Sequence, residues 1–382
     1  MNVSVVSRPL HIRSVLGLVV PGRDGCTLVC LWRDLERPIV VDLRVNMFPL
    51  KQRTRWAELT GMRIVVAALL FPISALAQQL PEQDAVRIAE FYRLASRVSD
   101  TVWPGWSETP APLLLVTPET EFLTHHPSPP VDFRKIVDDV YARPRTFAIG
   151  LLATFPAFGP PAVIVIGEPQ STEAKTSTPW LITLMHEHFH QLQYGKPGYY
   201  DAVQHLGLSH GDKTGMWMLN YPFPYHRPEV ARGFSHLRDL LLQALNESNP
   251  KRSWQLARAY VRERKKVFAR LSPDDHKYFS FQLWQEGIAR YTEIKVAEAA
   301  SRYDPDPRFA ALPDYEPFST YAANARAHTL DELGRADLAK WGRVFVYCFG
   351  GAEGLLLDRL HPGWQADYYK HALSTDLLFD SK

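Results

Sequence analysis

Residues 186–190 read His186-Glu187-His188-Phe189-His190, two histidines four positions apart with a glutamate directly after the first. On an α-helix His186 and His190 lie one turn apart on one face, so their imidazoles can hold a single zinc ion. Glu187 then stands where its carboxylate can reach a zinc-bound water without being a ligand. Two imidazoles, an activated water and a neighbouring base are what a metal-dependent hydrolase needs. His188 is two residues from each candidate ligand, points elsewhere on the helix, and is expected to be structural or to support the ligands from behind.

That chemistry requires a helix, and the flanking residues predict one. Thr178 can cap its start through the hydroxyl, and Pro179 suits the first helical position. Gly195 and Pro197 supply the expected stop after Tyr194. Leu181, Leu184, Met185 and His188 share a face predicted to be buried. Upstream, Ala162-Val163-Ile164-Val165-Ile166 reads as a strand one loop before this helix, and Leu113-Leu114-Leu115-Val116 as another. A further strand is expected over 147–155, and an amphipathic helix over 81–100. After an aromatic- and Pro-rich stretch to Pro228, helical patterns cover 230–246, 253–270, 278–300 and 337–360. Within that stretch Trp217, Tyr221, Phe223 and Tyr225 could line a cleft or simply pack. The predicted class is α+β, a small mixed sheet followed by a mostly helical C-terminal half.

Residues 62–77 carry a start Met, one Arg, an apolar run and a terminal Ala75-Leu76-Ala77, the parts of a secretory signal peptide. The run is short for a membrane span and is broken by Pro72. The expectation is translation from Met62, cleavage after Ala77 and export to the periplasm or medium, with residues 1–61 a mis-assigned extension. The mature chain then has an α/β part over 78–195 and a helical part over 196–382, with no stable membrane span. Of the cysteines, Cys26 and Cys30 are lost and Cys348 remains, so no internal disulfide can form. Charge shifts too. Removing the ten basic and five acidic residues up to Ala77 turns 43 against 41 into 33 against 36. The apparent basicity belongs to the leader, and nothing argues for nucleic acid as a partner.

A catalytic zinc needs a third protein ligand. The extended HExxHxxGxxH pattern is excluded, since Gln193 and Lys196 occupy its glycine and third-histidine positions. Trp284-Gln285-Glu286-Gly287-Ile288-Ala289-Arg290-Tyr291-Thr292-Glu293, on a helical pattern, resembles the Glu-ligand helix of gluzincin peptidases. The nearest likeness is the "NEGFAxYxE" run of zinc aminopeptidases. The resemblance implies that Glu286 is the third zinc ligand, with the small residues at 287 and 289 letting this helix approach the HExxH helix. Glu293, two turns on, could orient a ligand histidine. Tyr347-Cys348-Phe349-Gly350-Gly351-Ala352 looks like the "YxKGA" helix start of the same aminopeptidases, which implies that the Tyr347 hydroxyl stabilises the oxyanion. Tyr291, Tyr315, His210, His226 and His328 stay open as alternatives for that role.

The likeness covers three short motifs and their order. Ninety-five residues separate His190 from Glu286, far more than those aminopeptidases use. Their "GxMEN" segment is missing, and Arg290 stands where thermolysin-like enzymes carry Asp. Aminopeptidase specificity is therefore not carried over. The resemblance implies a zincin-like fold in which an edge strand beside the HExxH helix, here 162–166, takes the substrate backbone as an added strand. It also implies a zinc peptidase acting on peptide or protein substrates, with Glu187 as general base. A zinc amidase or esterase on other substrates, or an inactive zincin-like binding protein with a structural metal, would share these motifs.

Overall fold

The computed structural model describes residues 79–371 and 373–380 in full, together with the backbone of 15–22, 25–34 and 37–40. The expected signal peptide at 62–77 lies outside the described residues. Two compact units divide the chain, Met1–Gln79 and Leu80–Lys382. In the first, β1 (Val15–Gly22), β2 (Gly25–Asp34) and β3 (Arg37–Val40) form an antiparallel sheet in that order.

The second unit is α+β. It opens with α1 (Glu82–Val102) and continues through a six-stranded mixed sheet built of β4 (Leu113–Val116), β5 (Thr120–Thr124), β6 (Arg134–Val137), β7 (Val140–Pro144), β8 (Ala153–Phe155) and β9 (Val163–Gly167). Strand order is β6-β7-β5-β4-β9-β8, with β4 and β9 parallel and the other pairs antiparallel. Every residue of β4, β5 and β9 is buried. Covered on both faces, β4 and β9 read as continuous apolar runs rather than alternating ones.

Two strand expectations need correction. The 162–166 strand is β9, which lies one place inside the sheet; the edge is β8, antiparallel on its outer side. Nor does a strand run over 147–155, because only the last three residues join the ladder. Upstream of them the Phe147 N–H donates to the buried Glu121 carboxylate and the Leu151 N–H to the Ala148 carbonyl, a turn in place of a strand.

Helices follow: α2 (Ser177–Tyr194), α3 (Tyr199–His205), α4 (Pro228–Asn246), α5 (Pro250–Phe268), α6 (Pro273–Gln282), α7 (Ile288–Ala300), α8 (Phe318–Arg335) and α9 (Phe345–Leu360). The pattern over 278–300 is broken by a π-helical turn, Leu283–Gly287, between α6 and α7. The 337–360 pattern splits at Gly342, whose φ of 55° separates a short turn from α9. Thr178 does not cap α2, which starts a residue earlier. Its hydroxyl instead donates to the Glu316 carbonyl at 2.5 Å and accepts from the Glu316 N–H at 3.2 Å.

One core joins sheet and helices, and the C-terminal turn of α1 sits at its centre. Trp103 stacks on Phe189 of α2 at 5.0 Å, meets Tyr368 at 5.0 Å, and donates through Nε1 to Thr292 of α7 at 2.9 Å. Trp106 donates to the His188 carbonyl. These rings clamp α2 against α7, and each such aromatic pair adds about 0.5–1.5 kcal/mol beyond its burial. The aromatic stretch after α3 is core packing too: Trp217 stacks on Phe281 at 5.6 Å and Tyr221 on Tyr278 at 4.3 Å.

Candidate metal centre

The 3.6-residue period of α2 puts His186 and His190 on one face, and Leu181, Leu184 and Met185 are buried as expected. Both candidate ligands are nearly fully buried, and what holds each ring decides which nitrogen is free. His186 donates from Nδ1 to Glu293 Oε1 at 2.5 Å, and Arg290 anchors the other Glu293 oxygen at 2.9 Å. His190 Nδ1 faces Gln193 Oε1 at 2.7 Å. The amide of Gln193 has only one orientation open, because its Nε2 donates to the Trp284 and Gln285 carbonyls and to the Tyr368 hydroxyl. Its oxygen must therefore accept, and His190 Nδ1 must carry the hydrogen. Each ring so keeps its Nδ1 hydrogen, which leaves Nε2 as the atom a metal would take in place of a proton, and the two Nε2 atoms are 3.1 Å apart.

Glu286 closes the triangle. Its Oε2 is 3.4 Å from His190 Nε2 and 3.8 Å from His186 Nε2. Among the described residues, these three form the group of ligand atoms that could hold a metal. Tetrahedral zinc with ligands at about 2.1 Å places its donors about 3.4 Å apart, so the spacings of this triangle suit that ion. The donor chemistry agrees: two imidazole nitrogens and a carboxylate could hold a cation between them.

Glu286 reaches this point from the π turn. One extra residue in a turn rotates the side chains after it, and such bulges gather at functional sites. The small residue next to it works differently from expectation. Gly287 packs on Gly350 of α9, where a Cβ on either glycine would meet the other's Cα at 2.7 or 2.5 Å. The close approach thus joins the Glu286 segment to the Tyr347 helix rather than to α2.

Charges around the triangle are strongly coupled. Burial works against charged His186, but Glu286 and Glu293 outweigh it and push its pKa up to about 10. Burial likewise opposes the Glu286 carboxylate, yet His190, His186 and Arg343 hold it well below the usual range. His188 behaves as a structural residue. It is buried, stacks on Trp106 at 5.2 Å, and burial takes its pKa down to about 4 against a bond to Gln191.

Glu187 lies beside the triangle, its Oε2 accepting from Thr154 Oγ1 of the edge strand β8 at 2.7 Å. Tyr347 is at the site as well: its ring stacks on His186 at 6.2 Å, and its hydroxyl contacts both Arg343 and Glu286. The other candidates are elsewhere. Tyr291 donates to Asp358, and His210, His226 and His328 are exposed. Tyr315 packs against Phe309 and Phe318.

Two residues at the site carried no sequence signal. Gln193 was visible only as the wrong residue for an extended zinc motif, and Arg343 belongs to no motif at all. Comparison with protein-family models, with curated proteins and with solved structures finds no match.

Proposed function

We propose that this chain is a zinc-dependent hydrolase of gluzincin type, acting on peptide bonds. The observation that carries the reading is the triangle of His186 Nε2, His190 Nε2 and Glu286 Oε2, both imidazoles held through Nδ1 so that Nε2 is the atom turned to the triangle, with Glu187 alongside. A zinc ion held by these three would supply Lewis acidity towards a water and the scissile carbonyl.

The chain's own groups do the rest. Thr154 holds one oxygen of Glu187, and we assign the other to accept the proton of the attacking water and hand it to the leaving amine. The Tyr347 hydroxyl donates to the developing oxyanion. The outer edge of β8 offers main-chain groups to a substrate lying as an added strand, which is the zincin-like part of the reading. The leader makes the enzyme an exported one, periplasmic or secreted.

Elemental analysis of the purified 78–382 chain tests this, alongside Glu286→Ala and Glu187→Gln and a peptide-library assay. One zinc per chain is expected in the parent and in Glu187→Gln, and much less in Glu286→Ala. Hydrolysis should fall about 10²- to 10⁴-fold or more in Glu187→Gln. Full occupancy in Glu286→Ala would move the third ligand elsewhere. A parent without zinc would end the hydrolase reading, and a zinc-loaded parent that cleaves nothing in the library would favour a structural metal.

A further inference from the structure

Arg343 stands between the third candidate ligand and the candidate oxyanion donor, and touches both. It sits in the tight turn after Gly342, whose φ of 55° and ψ of −132° suit glycine alone and swing the chain back towards α6. Its guanidinium is mostly buried. One terminal nitrogen, Nη1, donates to Gln282 Oε1 at 3.1 Å and lies 3.5 Å from Glu286 Oε1. The other, Nη2, donates to the Tyr347 hydroxyl at 3.2 Å. Gln282 is fixed in turn, donating from Nε2 to the Met218 carbonyl at 3.0 Å.

These contacts are specific in what they leave open. Arg343 faces Oε1 of Glu286, while Oε2 is the oxygen turned towards the histidines. A fixed cation beside one carboxylate oxygen draws charge to it and biases the other oxygen towards a metal. The same guanidinium occupies an acceptor position of the Tyr347 oxygen, so the hydroxyl hydrogen must point away from Arg343. In this structure the hydroxyl has Glu286 as its other polar neighbour. A planar fork holds its two terminal nitrogens at fixed separation, one for each task, whereas lysine brings one nitrogen on a flexible stem and fixes neither direction.

We infer that Arg343 is a positioning residue that makes Glu286 a one-oxygen ligand and aims the Tyr347 O–H at the reaction centre. The inference rests on the zinc-hydrolase reading and adds to it the residue that ties ligand geometry to oxyanion geometry. The two histidines are positioned by Glu293 and Gln193. Arg343 completes that outer layer around the third ligand and extends it to a group that touches substrate.

The test uses the 78–382 chain loaded with zinc, and separately with Co²⁺ as a spectroscopic probe, in the parent, Arg343→Met, Arg343→Lys, Tyr347→Phe and Glu286→Ala. Arg343→Met should weaken zinc about 10- to 100-fold, the usual effect of removing an outer-shell partner. It should also change the visible cobalt spectrum, as a second carboxylate oxygen joins the metal. Tyr347→Phe should move affinity and spectrum much less than Arg343→Met, since it removes a neutral neighbour of Glu286 and leaves the cation beside Oε1 in place. Arg343→Lys, which keeps the charge and packs in the same space, should fold normally yet fail to restore both properties. In the peptide assay, adding Arg343→Met to Tyr347→Phe should lower kcat by less than the product of the two single losses. Parent-like affinity and spectrum in Arg343→Met would overturn the inference while leaving the hydrolase reading intact, because Glu286→Ala would still lose the metal. A parent that binds neither metal would overturn both.

Discussion

Gln193 shows how a neutral side chain can set the state of a candidate ligand. Its amide nitrogen is engaged by two carbonyls and a phenol, so its oxygen is committed to His190 Nδ1. Replacing it with Leu would free the His190 ring to rotate and remove the amide donor from the Trp284 and Gln285 carbonyls, of which Trp284 keeps the Tyr368 hydroxyl. Gln193→Leu should therefore weaken zinc about 10- to 100-fold while the chain stays folded, measured by competition with a chromophoric chelator. Unchanged affinity would mean that His190 needs no holding. What was legible in the sequence divides along the same line. His186, Glu187 and His190 could be read because a helix fixes their spacing. Glu286, ninety-five residues on, came only through resemblance to another family's motif. The outer layer was harder still: Glu293 was visible as a helical neighbour of Glu286, but Gln193 and Arg343 act through contacts that no local spacing announces.

Among the elements, the crossing of the π turn with α9 sets where Glu286 and Tyr347 stand relative to each other. Gly287 and Gly350 meet backbone to backbone, with no room for a Cβ on either. Gly350→Ala must push the two segments apart, at a cost of about 1–3 kcal/mol for overpacking, and it should lower zinc affinity as Glu286 shifts. Gly334→Ala is the control. It lies on the exposed side of α8 with nothing within 4 Å of an added Cβ, so it should stabilise by about 0.4–1 kcal/mol. Denaturant unfolding and chelator competition read both variants. Equal stability in Gly350→Ala and the parent would show that the crossing has slack. The sequence carried the strong apolar elements, β4, β9 and most helices, to within a few residues. It missed β5, β6 and β7, which are short and carry polar or charged residues such as Glu121, Arg134 and Lys135. It missed α8 as well, where few residues are buried and the apolar stripe is thin. The π turn had no signature, since the helical period continues on both sides of it.

For the molecule as a whole, the C-terminal segment is tied to the helix that carries Tyr347. Glu353 of α9 and Asp376 near the end of the chain share Arg264, each with a contact of 2.6 Å, and Glu353 and Arg264 are almost fully buried. His276 at 2.8 Å and Ser280 at 3.2 Å bind the other oxygen of Asp376. Burial works against the Asp376 carboxylate, yet Arg264 and His276 hold its pKa below the usual range. A carboxyl whose folded value is depressed contributes stability that is fully present above its unfolded value, near 3.9, and is lost as pH falls through the folded value. Asp376→Asn should thus cost about 2 kcal/mol at pH 7, where a charged partner is removed, and progressively less below about pH 4, where the carboxyl of the unfolded parent takes up a proton before the folded one does. Urea unfolding of parent and variant across that range measures the difference directly. A gap that stayed constant down to the most acidic samples would mean that Asp376 contributes through packing and neutral hydrogen bonds. A gap that closes would locate in one ion pair the acid sensitivity of the joint between the chain end and the Tyr347 helix. The candidate metal centre would then be exposed to acid from two directions, by protonation of its own ligands and by loosening of the helix behind Tyr347.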